Sequence, residues 1–219
     1  MVEKKSIGAC AMVDQPMKHA IILAGGRSQR MGIDKLSLVN GSTTMLAAVC
    51  ESARCYADQL WVVGSQRPGL GTDVCFVREN PPFSGPAAGI MAAVRCMPMI
   101  GETLILAGDL AHPEEIVHLL ATASIPKDKD GVILVDESGW KQFLCAKYSL
   151  QSLHNIHSTA INVAVKRLFS NLDFHNIYVS KFLVDDIDIP EKAAAYGFKS
   201  EKTGVKFRLA LPNFTDGAS

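Results

Sequence analysis

The segment LAGGRSQRMGIDK, residues 23–35, directly follows the apolar run AII at residues 20–22. The segment contains glycines, arginines and a lysine but few large apolar side chains. The residues just before it, in contrast, are apolar, as in a buried strand. In an open parallel sheet, ligands bind outside the carboxyl ends of the strands. A polar, glycine-containing loop at this position therefore predicts a ligand site at the end of the first strand.

Glycine and positive charge make this loop a candidate phosphate site. Gly25 and Gly26 allow backbone amides to approach a phosphate, and Arg27, Arg30 and Lys35 place three cations in the same loop. The sequence contains neither G-x-x-x-x-G-K-[ST] nor G-x-G-x-x-G followed by an acidic end of strand two, so those two phosphate loops are excluded. A glycine turn followed by solvated charges stays an alternative.

Apolar strands alternate with helical patterns along the chain. Six predicted strands are HAIILA (19–24), LWVVGS (60–65), VCFVRE (74–79), TLILAGDL (103–110), GVILVD (131–136) and NIYVS (176–180). Four predicted helices are residues 42–55, 86–97, 113–123 and 161–172. Several strands are apolar on both faces, which is typical of a mostly parallel sheet covered by helices on both sides. We therefore predict an α/β fold with three layers.

Some local details of this fold are also predicted. Pro86 and Pro113 suit the first turns of their helices, and Ser42 or Thr43 is the expected cap of the first helix. FLCAKYS (143–149) is assigned to an edge strand, with an antiparallel direction as one option.

Composition indicates one globular domain that acts on small molecules. The chain has 219 residues, 48% of them hydrophobic, and a formal net charge of +0. That balance gives no general attraction to nucleic acid or to an anionic membrane, and we expect neither as a partner. The six cysteines contain no C-x-x-C pair, so we expect reduced, buried thiols and a cytoplasmic protein.

Three segments follow from the pattern. Residues 1–18 are expected to be a flexible extension, because their apolar stretch is too short for a signal peptide core; translation from Met17 is an alternative. Residues 19–199 form the predicted folded domain, and residues 200–219 form a C-terminal tail of uncertain structure.

Four motifs carry a resemblance to a known family. LAGGRSQRMGIDK closely resembles the L-A-G-G-x-S-x-R-M-G-x-D-K motif of the molybdenum cofactor guanylyltransferase family. SGPAAGI (84–90) resembles its G-P-x-A-G-I loop and helix, and LILAGDL (104–110) its strand that ends in a metal-binding aspartate. DDIDIPEKA (185–193) is similar to its D-x-D-T-P-E-D segment. The resemblance covers about residues 19–197.

The resemblance implies a Rossmann-like nucleotidyltransferase fold and a magnesium ion (Mg2+). It implies transfer of a nucleoside monophosphate from its triphosphate to a phosphorylated acceptor, with release of pyrophosphate. GTP is the favoured donor and molybdopterin the favoured acceptor. Relatives on the same fold use sugar phosphates, phospho-alcohols and phospholactate-like acids, so the acceptor stays open. The oligomeric state is not indicated.

Site residues are assigned from the motifs and the chemistry together. Arg30, Lys35 and Asp109 are the candidate catalytic residues, because positioning and charge neutralisation dominate phosphoryl transfer. The remaining candidates for nucleotide binding in the motifs are Leu23, Ala24, Gly25, Gly26 and Gly85.

Two carboxylates are candidate metal ligands. Asp109 ends an apolar strand, where a carboxylate needs a cationic partner. Asp186 and Asp188 lie two residues apart in an extended segment, and one of them is expected to join the metal. The family position favours Asp188. A capping role for these aspartates at the last helix is the alternative.

Base selection is the least determined feature. The resemblance implies that guanine-specific members of the family read the base and ribose partly with an asparagine after strand two and an aspartate after strand three. At the corresponding positions this sequence has Gly64 and Asn80. Gly64 has no side chain, and an amide both donates and accepts hydrogen bonds. GTP stays the favoured nucleotide, and CTP, UTP or ATP stays open.

Other side chains have two interpretations. Lys166 and Arg167 either face an anionic acceptor such as a pterin phosphate or form a solvated helix face. Trp61 and Trp140 are expected in the core or in a pocket wall.

Two other function classes are also considered. A nucleotide-binding sensor or inactive paralogue would keep the loop without turnover, but the presence of Lys35, Asp109 and Asp188 together argues against it. A dinucleotide oxidoreductase is disfavoured by the missing glycine fingerprint.

Overall fold

Strands and helices alternate along the chain in the predicted order. The computed structural model describes residues 16–25, 34–157, 159–187 and 189–200. Its strands are β1 (His19–Leu23), β2 (Val39–Asn40), β3 (Thr43–Thr44), β4 (Gln59–Val63), β5 (Val74–Val77), β6 (Glu102–Ala107), β7 (Gly131–Val135), β8 (Lys141–Ser149) and β9 (Phe174–Tyr178). Its helices are α1 (Met45–Arg54), α2 (Pro86–Val94), α3 (Pro113–Thr122), α4 (Leu150–His154), α5 (Val165–Leu168) and α6 (Pro190–Ala195), with a 3-10 turn at Lys35–Ser37. None of these described helices combines the length and the apolar character needed to cross a membrane.

Seven strands form one sheet in the order β5-β4-β1-β6-β8-β7-β9. Strands β5, β4, β1 and β6 run parallel to one another, and β7 runs parallel to β9. Only β8 among the strands of this described sheet is antiparallel to its neighbours. The predicted α/β fold with a mostly parallel sheet is therefore confirmed.

The assignment of residues 143–149 to an edge strand is wrong. Strand β8 is antiparallel, but it lies between β6 and β7 and pairs with both. Cys145, Ala146, Lys147 and Tyr148 are buried there. After β6 the chain forms α3 and then β7, and a hairpin after β7 places β8 between β6 and β7. Local sequence patterns do not encode this order of strands.

Two local predictions about helices are also wrong. Thr44, not Ser42 or Thr43, caps α1, and its hydroxyl accepts a hydrogen bond from the Ala47 amide at 3.1 Å. The predicted helix 161–172 is reduced to the single turn of α5. Asn162 has a positive φ of 56° in that region, which is incompatible with a continuous right-handed helix.

Apolar side chains on the two faces of the sheet form two cores. Alternate strand residues such as Ile22 and Leu106 pack with α1 and α3 on one face. Ile21 and Ile105 pack with α2 on the other face. This alternation gives the three layers predicted from strands that are apolar on both sides.

The cysteines are less uniformly buried than expected. All five described cysteines are free thiols. Cys50 and Cys145 are buried, but Cys55 and Cys96 are exposed, which corrects the prediction that the thiols behave as buried small hydrophobes.

Gly108 fixes the spacing of the central strands where the sheet ends. Its amide donates a hydrogen bond to the Leu23 carbonyl at 3.0 Å. A Cβ atom at this position would lie 2.7 Å from the same backbone oxygen, so a side chain requires the strands to separate. The residue that follows is Asp109, and the close approach therefore sets the position of its carboxylate against β1.

Gly108→Ala should destabilise the fold by on the order of 2 kcal/mol, because backbone atoms must move to accept the methyl group. Urea denaturation measures this change. Gly25→Ala is the matched control, since among the described residues its Cβ would meet only the Val63 carbonyl oxygen, at 3.7 Å. Equal stability of the two variants would show that the contact at Gly108 is not restrictive.

Candidate active site

Lys35 and Asp109 meet at the carboxyl edge of the sheet. Asp109 follows β6 after Gly108, and Lys35 begins the 3-10 turn that packs beside α1. The Lys35 ammonium donates a hydrogen bond to a carboxylate oxygen of Asp109, across 74 positions of sequence. Their side chains are 25% and 16% exposed, respectively. Two predicted catalytic residues therefore form one partly buried ion pair.

Asp186 lies in the same charged cluster. Its segment forms an antiparallel bridge with Leu110, and the Ile187 amide donates to the Asp109 carbonyl at 3.0 Å. Burial, reinforced by the negative charge of Asp109, raises the pKa of the Asp186 carboxyl from 3.8 to about 6, against the opposing charge of Lys35. Two carboxylates thus compete for one ammonium, and a divalent cation would relieve their repulsion.

Several predicted site residues lie outside the described part of the chain. These are Gly26, Arg27, Arg30 and Asp188. The preference for Asp188 as the second metal ligand therefore stays a prediction, while the structure supplies Asp186 as a carboxylate beside Asp109. Within the described residues, no group of three or more His, Cys, Asp or Glu side chains is arranged as a metal site.

A cavity of about 580 Å³ opens beside this cluster, at the ends of β1, β4 and β5. Its lining residues are Leu23, Ala24, Gly25, Val63, Gly64, Ser65, Arg67, Arg78, Glu79, Phe83, Gly85 and Pro86. The structure therefore brings together five of the residues assigned to nucleotide binding: Leu23, Ala24, Gly25, Gly64 and Gly85. The cavity is large enough for a small ligand.

Gly64 has a steric reason to lack a side chain. Its φ is 150°, and its Cβ would lie 3.0 Å from the Ala24 carbonyl oxygen. The Gly64 amide donates to the Val77 carbonyl at 2.9 Å, and the Ala24 amide donates to Val63 at 2.9 Å. The ends of β1, β4 and β5 are thereby drawn together, so an asparagine at position 64 would be strained and would require the Ala24 backbone to shift.

The acidic group of the cavity is Glu79 and not the residue at position 80. Asn80 is exposed and is not among the lining residues. Glu79 lines the cavity and accepts a hydrogen bond from the Phe83 amide through one carboxylate oxygen at 2.9 Å. The sequence prediction missed Glu79 because it extended strand three to residue 79, two residues beyond its end at Val77. The prolines at positions 81 and 82 were the available signal.

Arg67 connects the cavity to the loop that carries Lys35. Its guanidinium donates to both carboxylate oxygens of Asp34, the residue before Lys35, and to the Ser37 hydroxyl at 3.2 Å. The hydrogen bonds from Arg67 and Ser37 lower the pKa of Asp34 despite the opposing effect of partial burial. This bidentate contact holds the backbone of Asp34, the residue before Lys35.

Comparisons with known proteins give matches to a family model and to curated relatives. Residues 20–174 match the family model described as the MobA-like NTP transferase domain. Over 91 residues the chain is 36% identical to a molybdenum cofactor guanylyltransferase of Rhodopseudomonas palustris, covering 40% of this chain and 42% of that protein. Over 81 residues it is 41% identical to the Rhizobium meliloti protein of the same name, covering 35% and 36%. The matched segments therefore span less than half of each curated relative.

Solved structures share the fold at low identity. Molybdopterin-guanine dinucleotide biosynthesis protein A from Archaeoglobus fulgidus has a TM-score of 0.60 at 18% identity, covering 82% of this chain and 96% of that one. A Mycobacterium tuberculosis protein in complex with manganese has a TM-score of 0.57 at 18% identity, covering 84% and 98%. A 4-diphosphocytidyl-2C-methyl-D-erythritol synthase has a TM-score of 0.60 at 16% identity, covering 83% and 96%.

Asp186→Asn should stabilise the metal-free protein at neutral pH. Because folding raises the pKa of this carboxyl to about 6, the folded state holds an extra proton between about pH 4 and pH 6, and stability falls as pH rises through that window. The asparagine variant does not lose this stability, because its side chain does not ionise. We expect a gain on the order of 2–3 kcal/mol at pH 7.5 that disappears near pH 4.

Urea denaturation in EDTA across this pH range measures the gain. Asp128→Asn is the control, because the Asp128 side chain is 79% exposed and should show little pH-dependent change. A constant difference between Asp186→Asn and the wild type at every pH would contradict the raised pKa of Asp186.

Proposed function

Because this chain belongs to the MobA-like NTP transferase family, we propose that it transfers GMP from GTP to the phosphate of molybdopterin and releases pyrophosphate. The observation that carries this proposal is the contact between Lys35 and Asp109 beside a cavity of about 580 Å³. An ammonium and a carboxylate at this edge are the charges that a metal-bound triphosphate requires.

The cavity suits the nucleoside, and the charged cluster suits the phosphates. Gly25, Gly64 and Gly85 lie on its wall, where backbone can approach a ligand closely. Gly85 precedes the nine-residue helix α2, whose first turn has no side-chain cap. Amide groups at such a helix start attract anions. A nucleotide placed here directs its phosphates toward Lys35 and Asp109.

Glu79 supports guanine as the base. Guanine presents two neighbouring donors, which match the two oxygens of a carboxylate that only accepts hydrogen bonds. One Glu79 oxygen already accepts the Phe83 amide at 2.9 Å, which fixes the carboxylate in the cavity wall. This residue supplies the negative charge that Asn80 lacks.

CTP is the second candidate donor because two cations line the same cavity. Arg67 and Arg78 both belong to its wall, and their guanidinium groups could donate to the carbonyl oxygen and ring nitrogen of cytosine. Arg67 is already engaged with Asp34, so Arg78 is the more available donor. This arrangement keeps a CTP-dependent transferase as the alternative.

Asp109 and Asp186 fit a divalent cation. Both are carboxylates, they raise each other's energy in the charged form, and magnesium takes oxygen ligands while it retains water. When bound, magnesium would supply positive charge to the triphosphate oxygens. Asp188 stays a candidate for the same role, and the expectation of magnesium over manganese is part of the proposal.

The reaction needs no strong protein base. A phosphate oxygen of the acceptor forms a bond to the α-phosphorus of GTP, and the bond from that phosphorus to the bridging oxygen breaks, so that pyrophosphate leaves with the electron pair. The attacking oxygen is already anionic. Lys35 neutralises charge that develops on the phosphates, and the tether from Asp34 to Arg67 holds Lys35 in place.

Lys35→Ala should lower turnover about 100-fold, because one charge that stabilises the transition state is removed. The measurement is pyrophosphate release with Mg2+, molybdopterin and each of GTP, CTP, UTP and ATP. GTP should be the preferred donor. Lys129→Ala is the matched control, since Lys129 forms a similar ion pair with Asp173 at 2.7 Å, at the start of β9.

Three outcomes would contradict parts of this proposal. No pyrophosphate with any donor would favour a sensor or inactive paralogue. Preference for CTP would establish the alternative donor. Turnover of Lys35→Ala within a few-fold of wild type would remove Lys35 from its central role. The cytoplasmic location expected from the sequence stays a prediction.

Glu79→Gln should raise the KM for GTP about tenfold or more while that for CTP changes little, because an amide cannot accept through both of its terminal atoms. Initial rates with each nucleotide measure this ratio. Glu137→Gln, at an exposed position in the turn after β7, is the control. Equal losses with GTP and CTP would show that Glu79 supports the wall without selecting the base.

A further inference from the structure

The turn between β7 and β8 presents an exposed tryptophan. Trp140 is 58% exposed, although the sequence suggested a position in the core or in a pocket wall. The turn closes through a hydrogen bond from the Asp136 amide to the Trp140 carbonyl at 3.1 Å. Gly139 has a φ of 78°, which favours glycine at this bend. A large aromatic ring is therefore held in solvent by a closed turn.

A buried carboxylate makes this turn rigid. Asp136 is only 6% exposed. Its two carboxylate oxygens accept hydrogen bonds from the amides of Ser138 at 2.8 Å and Trp140 at 3.1 Å, and from the Gln142 side chain at 3.1 Å. Such a satisfied buried carboxylate orders the segment that surrounds it. These bonds hold the backbone of the turn at Trp140 in place.

A cation lies against the exposed ring. The Lys166 ammonium is 4.4 Å from the centroid of Trp140. Lys166 belongs to α5, so a second element of the chain supplies this charge. An aromatic surface next to an ammonium is complementary to a flat, electron-poor or heteroaromatic ring that carries a negative group.

Trp140 and Lys166 both belong to segments that reach the edge of the sheet where Asp109 lies. Strands β6 and β7 are each antiparallel to β8, so Asp136 ends β7 at the edge where Asp109 ends β6. Two strand spacings separate these ends by about 10 Å. The segment before α5 is also tied to the cavity, because the Asn162 amide donates to the Ser84 carbonyl at 2.8 Å, next to Gly85.

The pair lies on the side of the charged cluster opposite the cavity. The cavity is formed by the ends of β1, β4 and β5, whereas the turn belongs to β7 and β8, beyond β6 in the sheet order. A ligand on this side could place its phosphate near Asp109 and Lys35 while its ring contacts Trp140. The nucleotide base and this second ligand would not overlap.

We infer that Trp140 and Lys166 form the subsite for the acceptor, and that this subsite takes a planar heteroaromatic phosphate such as the pterin of molybdopterin. The inference rests on the proposed function for the identity of the acceptor. It adds which residues contact the acceptor: the indole stacks on the ring system, and the ammonium interacts with its anionic substituent.

Binding measured without nucleotide tests this subsite. Anaerobic calorimetric titration of molybdopterin into the full-length protein should show Kd values about tenfold higher for Trp140→Ala and for Lys166→Ala. Trp140→Phe should retain most of the affinity. The Kd for GTP should not change in any of these variants, and thermal unfolding should confirm that each is folded.

Lys18→Ala is the matched control for Lys166→Ala. Lys18 lies 5.2 Å from the ring centroid of Tyr56 but precedes β1, at the opposite edge of the sheet. The inference is overturned if wild type does not bind molybdopterin, if Trp140→Ala binds it within twofold of wild type, or if Lys18→Ala loses as much affinity. Loss of molybdopterin binding in the two variants supports it even where GTP yields no pyrophosphate, a result that would refute only the proposed function.

Discussion

A carboxylate at the end of a buried strand is the constraint around which this site is built. Asp109 follows the apolar strand β6, and its side chain is only 16% exposed. Its negative charge therefore needs a positive partner. Lys35 supplies one positive charge, but Asp186 adds a second negative one close by. Among the described residues, the cluster therefore has an excess of negative charge, which suits a divalent cation and the phosphates that accompany one.

Residues far apart in the sequence lie near Asp109 because the parallel strands all end at the same edge of the sheet. Gly108 brings the end of β6 against β1, and Gly64 brings the end of β4 against Ala24. These contacts are made by backbone, so they do not depend on flexible side chains. Arg67 then holds the segment of Lys35 through Asp34. The result is a charged cluster of Lys35, Asp109 and Asp186 beside the cavity at the ends of β1, β4 and β5.

The sequence indicates the strands, their burial and the glycine loop because these depend on local patterns. It does not indicate that β8 lies between β6 and β7, since strand order depends on packing among distant segments. The same limit explains two site residues. A backbone bridge formed in three dimensions brings Asp186 beside Asp109. Glu79, and not Asn80, lines the cavity because strand β5 ends at Val77, before the proline turn. Local motif alignment does not capture either effect.

The single antiparallel strand of the described main sheet, β8, separates two groups of parallel strands. Strands β5, β4, β1 and β6 carry the cavity and the charged cluster, while β7, β9 and the turn at Trp140 lie beyond β8. Under the proposed assignment of the two sites, substitutions beyond β8 alter contacts with the acceptor, whereas the strands that hold the donor stay unchanged.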